Sequence, residues 1–192
     1  MNRAAWSLAL FVLGCGCESH PGLEQAQLEA NAKALRPGFL LGTGTAAHQI
    51  EGGNDNDWTD WENTNFPDGR PHIDNSDKSG QAADSWNRID EDVALMKQLG
   101  SNAYRFSIEW SRLQPARAGP WDMAVVGRYR EWLVKLRAAG VSPMVTLFHF
   151  TLPRWVAAQG GFESRQTLAD FEAFVRRAAR EPDPAAATLC QH

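Results

Sequence analysis

The sequence predicts an α/β fold of parallel strands, closer to a (β/α) barrel than to a doubly wound sheet. Three observations predict it. From Phe39 onward, short apolar runs alternate with amphipathic helical stretches. The order strand, loop, helix, strand, helix, strand, helix implies parallel strands joined by right-handed crossovers. After the first run, Gly42-Thr43-Gly44-Thr45 lacks the lysine and the spacing of a phosphate-binding loop, the main mark of the doubly wound alternative.

Each element has its own signal. Residues 39–43 are an apolar run ending in Gly42 and Thr43 and give the first strand. Residues 53–80 are polar and rich in Asn, Asp and Gly, yet they contain Trp58, Trp61 and Phe66, so an ordered loop is expected. Residues 85–99 place Ile89, Val93, Met96 and Leu99 on one helical face, with Gly100 set to end the helix. Residues 102–108 form a second strand, in which Arg105 and Ser107 separate Tyr104, Phe106 and Ile108. Residues 122–139 form a helix with the stripe Val125, Val126, Tyr129, Trp132, Leu133 and Leu136, closed by Gly140. Residues 142–148 are the third strand, a buried run with Val145, Leu147 and Phe148, stopped by Pro153. Its exit carries His149, at the carboxyl end of a parallel strand, where α/β folds build ligand sites. Residues 168–180 form a third helix with Leu168, Phe171, Phe174 and Val175 inward.

Composition narrows the function. The chain has 192 residues, 43% hydrophobic and 22% charged, which are globular values. A net charge of −4 gives no footprint for nucleic acid. Of eight Trp, seven lie between Trp58 and Trp155; they either fill a core or line a carbohydrate cleft. Cys15, Cys17 and Cys190 fit no zinc spacing, and neither a structural disulfide, a metal site nor a cofactor is expected.

The first residues read as a targeting segment. Met1-Asn2-Arg3 is a short positive region, and residues 4–13 are apolar but too short to span a bilayer as a mature helix. Val12-Leu13-Gly14-Cys15 resembles the lipobox of bacterial lipoprotein signals, with Cys15 as the acylated residue. An ordinary secretory signal with incidental cysteines is the alternative. Either exports the chain, and the first anchors it to a bacterial membrane, facing the periplasm or the cell surface. The expected organisation is a signal over 1–17, a tether over 18–37, the partial barrel over 38–180 and a linker-like tail over 181–192.

Four blocks carry a family resemblance. The first is Phe39-Leu40-Leu41-Gly42-Thr43-Gly44-Thr45-Ala46-Ala47-His48-Gln49-Ile50-Glu51-Gly52. The second is Asp84-Ser85-Trp86-Asn87-Arg88-Ile89-Asp90-Glu91-Asp92, followed by Met96-Lys97-Gln98-Leu99-Gly100. The third is Tyr104-Arg105-Phe106-Ser107-Ile108-Glu109-Trp110-Ser111-Arg112. The fourth runs from Thr146 to Trp155, with Gly160-Gly161-Phe162 after it. In this order and spacing the chain resembles glycoside hydrolase family 1, the β-glucosidase and β-galactosidase family of (β/α)8 barrels.

The resemblance implies roles for particular residues. Gln49 matches the glutamine that hydrogen-bonds outer hydroxyls of the innermost sugar, and its amide offers both a donor and an acceptor. His149 matches the histidine that contacts the same sugar. Arg105 matches an arginine near the nucleophilic carboxylate, and Glu51 a glutamate that supports its loop. Phe150 stands where tryptophan is common; it still packs a ring but loses the indole N–H. Thr151 stands where aspartate is frequent. Glu109 ends the second strand, where the family has no catalytic acid. Read without the family, Gln49 and His149 are equally satisfied polar residues at strand ends.

Retaining glycosidases need an acid/base and a nucleophile, with carboxyl groups about 5–5.5 Å apart. The family places the first in an Asn-Glu-Pro motif after the fourth strand and the second in Thr-Glu-Asn-Gly after the seventh. Neither occurs among these residues, and Glu181-Pro182 follows Arg180 instead of Asn. No catalytic residue is therefore assigned. The expectation is about three βα units of a barrel that typically takes roughly 250 residues. Its uncovered sheet would be marginally stable and prone to aggregate. The function implied is a retaining O-glycosyl hydrolase for β-linked glucosides or galactosides in its full-length form. The alternatives are a non-catalytic carbohydrate-binding surface lipoprotein and an inert truncated product.

Overall fold

The computed structural model describes residues 38–181. The signal, Cys15, the tether and all of the tail beyond Glu181 lie outside the described residues.

Three strands form one parallel sheet in sequence order: β1 (Gly42–Gly44), β2 (Ala103–Ser107) and β3 (Ser142–Thr146). Gly42 lies opposite Ala103, and Ala103 lies opposite Ser142. The crossovers are α3 (Ser85–Gln98) between β1 and β2, and α5 (Met123–Ala138) between β2 and β3. After β3 comes α7 (Arg165–Ala178). Short helices α1 (Ala47–Ile50), α2 (Asp57–Glu62), α4 (Trp110–Leu113) and α6 (Arg154–Ala158) fill the connections. Parallel strands cannot be joined by tight turns, so this alternation is what their pairing requires.

Local chemistry sets the element ends. Asp122 caps α5, its carboxylate accepting from the N–H groups of Ala124 at 2.9 Å and Val125 at 3.2 Å. The left-handed Gly100 and Gly140, at φ 69° and 78°, close α3 and α5. Gly42 permits the β1–β2 approach: a Cβ there would lie 2.1 Å from the Ala103 carbonyl oxygen.

Tyr104 and Phe106, two residues apart on β2, share one face of the strand and stack at 5.5 Å. Ile89, Val93 and Met96 of α3 and Val126, Tyr129, Trp132, Leu133 and Leu136 of α5 join them in the core. Trp110 of α4 and Phe174 of α7 stack at 4.8 Å and extend it. Burying each of these large side chains stabilises the fold by roughly 1.5–3 kcal/mol. The seven tryptophans differ in burial. Trp110, Trp121 and Trp132 are buried, whereas Trp58 and Trp61 are exposed.

Several sequence expectations change. The first strand begins at Gly42, and Phe39, Leu40 and Leu41 are exposed. There the Asn102 side chain replaces the sheet ladder, accepting from the Leu41 N–H and donating to the Phe39 carbonyl. The third strand ends at Thr146, and Val145, Leu147 and Phe148 are half-buried, not buried. Among the described residues β3 is a sheet edge, so part of its surface stays open. Leu99 and Leu168 are exposed at 59% and 57%. Leu99 is the cap of α3, where the stripe has turned off the core, and Leu168 lies in the first turn of α7. The 53–80 loop is ordered and contains α2 and a 3-10 turn at Asp74–Ser76.

Candidate functional site

The exits of β2 and β3 converge. Arg105 lies on the face of β2 opposite Tyr104 and Phe106. Gly44, its partner in register, leaves it room: a Cβ there would stand 3.0 Å from the guanidinium. The Arg105 Nη1–H donates to His149 Nδ1 at 3.3 Å. A guanidinium only donates, so the histidine nitrogen facing it is an acceptor. Burial and the Arg105 charge hold the His149 imidazolium below its ordinary range, so the ring is neutral at pH 7. Its remaining nitrogen, Nε2, then carries the hydrogen and is a donor.

Beside it, the exposed Phe150 ring packs edge-on to His149 at 5.0 Å and stacks on Trp58 at 6.0 Å. Trp58 sits in the first turn of α2. Asn56 caps that helix, its Oδ1 accepting from the Thr59 N–H at 3.0 Å. This turns the Asn56 amide N–H toward Nδ1 of His48 at 3.1 Å, so His48 Nε2–H donates to Glu62 at 2.9 Å. Burial would raise the Glu62 carboxyl, but its bonds from His48 and Ser79 outweigh that and hold it below the usual range. His48 in turn meets Trp58 edge-on at 5.5 Å.

Beneath this surface lies a buried polar network. Tyr129 on α5 donates to Glu51 at 2.8 Å and accepts from the Glu109 N–H at 3.0 Å. Arg112 Nε donates to Glu51 at 2.9 Å and to Asn54 at 2.7 Å, its Nη2 donates to the Gly52 carbonyl, and its guanidinium lies 4.3 Å over the Trp86 ring. Burial pushes the Glu51 carboxyl up to about 7, against the pull of Arg112 and the Tyr129 hydrogen bond, with the Glu109 charge adding to the rise. Glu109 accepts from Ser111 at 2.8 Å on one oxygen and from Thr151 at 2.9 Å on the other. Asp57 accepts from the Leu152 N–H at 2.8 Å, and burial, partly offset by that bond, raises its carboxyl.

The structure thus brings Arg105, His149 and Phe150 together. Gln49 is exposed on α1, directly after the β1 exit. Glu51 is buried in the network at the base of the same turn. Sequence reading missed Asp57 and His48 and gave Thr151 no partner. His48 and Asp57 lie in helices of four and six residues, too short to show a periodic stripe, and the Thr151 partner is 42 residues away. Among the described residues, no group of three or more His, Cys, Asp or Glu is arranged to hold a metal ion, and no helix is long and apolar enough to cross a membrane.

Parallel strands with helical crossovers and polar residues gathered at the strand exits define an α/β protein with a candidate site at the carboxyl end of the sheet. Comparison with known proteins gives the family. The model of glycosyl hydrolase family 1 matches residues 31–181, and the chain belongs to that family. It is 39% identical over 140 residues to a coniferin β-glucosidase of Pinus contorta, covering 71% of this chain and 27% of the relative. Among solved structures it is similar to the β-glucosidase 1317, at TM-score 0.72 and 39% identity over 80% of this chain and 37% of that one. The family 1 β-glucosidase of Exiguobacterium antarcticum B7 gives TM-score 0.74 at 29% identity, over 82% and 36%. The fold is therefore part of a (β/α)8 barrel. The chain spans 27% and 30% of the first two curated relatives.

Proposed function

We propose that these residues form the sugar-positioning part of a retaining O-glycosyl hydrolase of the β-glucosidase type, acting on β-linked glucosides or galactosides. The observation that carries this reading is the Arg105–His149 contact beside the Phe150–Trp58 stack. A sugar presents hydroxyls on its rim and C–H groups on its faces. The His149 Nε2–H and the Gln49 amide suit the first, and exposed aromatic faces suit the second. The β-glucosidase relatives support the substrate class.

Neither family catalytic motif occurs among the 192 residues, and the two buried carboxylates nearest the site are held by internal partners. In this reading Gln49, His149 and Phe150 hold substrate, and Arg105 and Glu51 support them. The residues 1–17 pattern, with Cys15 as acceptor, supports export and a lipid anchor in a bacterial membrane as a further part of the proposal. A non-catalytic sugar-binding lipoprotein would use the same residues.

Calorimetric titration with cellobiose tests the site. Saturable binding is expected, weakened about tenfold in His149→Ala and in Gln49→Ala, the loss of one good hydrogen bond each. No saturable binding, or binding indifferent to both substitutions, would overturn the reading.

A further inference from the structure

Phe150 has φ 69°, and the Thr151 N–H donates to the His149 carbonyl at 2.9 Å. A hydrogen bond from a residue to the carbonyl two positions before it closes a γ-turn, and a positive φ at its centre gives the rare, strained hand. A bulky residue in this region is an outlier. Such a conformation persists only where its surroundings over-determine it. The turn also has a large, exposed ring at its tip, so packing of that ring alone is a weak clamp.

The clamp is polar and lies under the turn. Thr151 is buried, and its hydroxyl donates to Glu109, which is 1% exposed. The other Glu109 oxygen accepts from the Ser111 hydroxyl, and the Glu109 N–H donates to Tyr129. One residue further on, the Leu152 N–H donates to Asp57, and the Asp57 N–H donates to the Leu152 carbonyl at 3.0 Å. Both residues that follow Phe150 are therefore tied down, one to the end of β2 and one to the start of α2. The same α2 carries Trp58, the face on which Phe150 stacks.

The geometry points to Glu109 as a positioning residue: through the Thr151 hydroxyl it holds the strained turn that presents His149 and Phe150 to the sugar. This rests on the proposed role of His149 and Phe150 as sugar contacts. It also accounts for the residue at 151. A carboxylate with one oxygen already serving Ser111 needs a donor opposite the other. Threonine supplies one, whereas aspartate would set a second carboxylate against it. The pair should then tolerate reversal: a glutamine at 109 can accept from Ser111 through its carbonyl and donate to an aspartate at 151 through its amide.

The test uses the indole N–H resonances of the full chain in two-dimensional NMR. Trp58 is assigned through Trp58→Phe and reports the stack on Phe150. Trp132, fully buried in the core, is assigned through Trp132→Phe and reports the fold. Thr151→Val keeps the volume and removes the donor. It is expected to shift Trp58 and leave Trp132 in place. Thr151→Asp is expected to do the same or to unfold the chain. Glu109→Gln combined with Thr151→Asp is expected to return both resonances to their wild-type positions.

A Trp58 resonance unmoved by Thr151→Val would overturn the proposal. Where the single substitutions unfold the chain, the double variant decides: recovery of both resonances supports the pairing, and failure to recover overturns it. Cellobiose added to the same samples separates this from the sugar reading. If wild-type resonances ignore the sugar, the binding reading fails, while the Trp58 response to Thr151→Val still judges the clamp.

Discussion

Replacing Glu51 with alanine is expected to destabilise the folded unit by about 3–5 kcal/mol, the cost of a cavity and of the Tyr129 and Arg112 donors left without their acceptor. Glu51 is 1% exposed and joins three elements. Its carboxylate receives Tyr129 from α5 and Arg112 from α4, and its carbonyl receives the Trp86 N–H of α3 at 3.3 Å. Alanine leaves the Tyr129 hydroxyl without its acceptor and Arg112 with only the Asn54 and Gly52 oxygens. Against a total stability of about 5–15 kcal/mol, that removes a large part of the margin, and it unfolds much of the population where the margin lies at the lower end. Urea unfolding measures it; a cost under about 1 kcal/mol would show the network to be incidental.

The same residue carries a pH signature. Its carboxyl sits at about 7 in the folded chain against 4.5 as the ordinary value. The folded state therefore binds the proton more tightly than the unfolded state. The contribution is complete below the ordinary value and is lost as pH rises toward and through the folded one, about 3 kcal/mol in all. Glu51→Gln keeps the shape and removes the titration. The wild-type stability should fall relative to that variant as pH rises across this window; parallel pH profiles would contradict the assignment.

Trp132→Ala is the second large effect, also about 3–5 kcal/mol. The Trp132 ring has 0% exposure and lies 5.7 Å from both Phe106 and Tyr129 and 6.1 Å from Trp86. It is where β2, α3 and α5 meet, so its loss opens a cavity between the sheet and both crossovers. Its Nε1 is buried with no hydrogen-bond partner among the described residues. Trp132→Phe keeps much of the volume and removes that unpaired N–H, so it should cost less than half as much. Equal losses in the two variants would show that ring volume does not govern this site.

How legible the fold was follows from periodicity. The stripes of α3 and α5 recur over several turns and could be read directly, as could the β2 alternation around Arg105. Helices of four to six residues such as α1, α2 and α4 complete too few turns to show a stripe. Exposure at Leu99 and Leu168 shows that an apolar residue at the end of a stripe need not share its burial. At the site, Arg105 and His149 were legible as residues of recognisable blocks. The Glu109–Thr151 contact was not, because each residue looked ordinary in its own segment and only the fold juxtaposes them. Glu109 read as a strand-end acid without a role, and Thr151 as a departure from a pattern.

In the proposed function this chain positions a sugar while its own buried carboxylates are structural. Hydrolysis of an aryl β-glucoside by the purified 192-residue chain tests it most directly. The account predicts no turnover above buffer. Measurable hydrolysis would contradict it, because it would place a catalytic group among these residues.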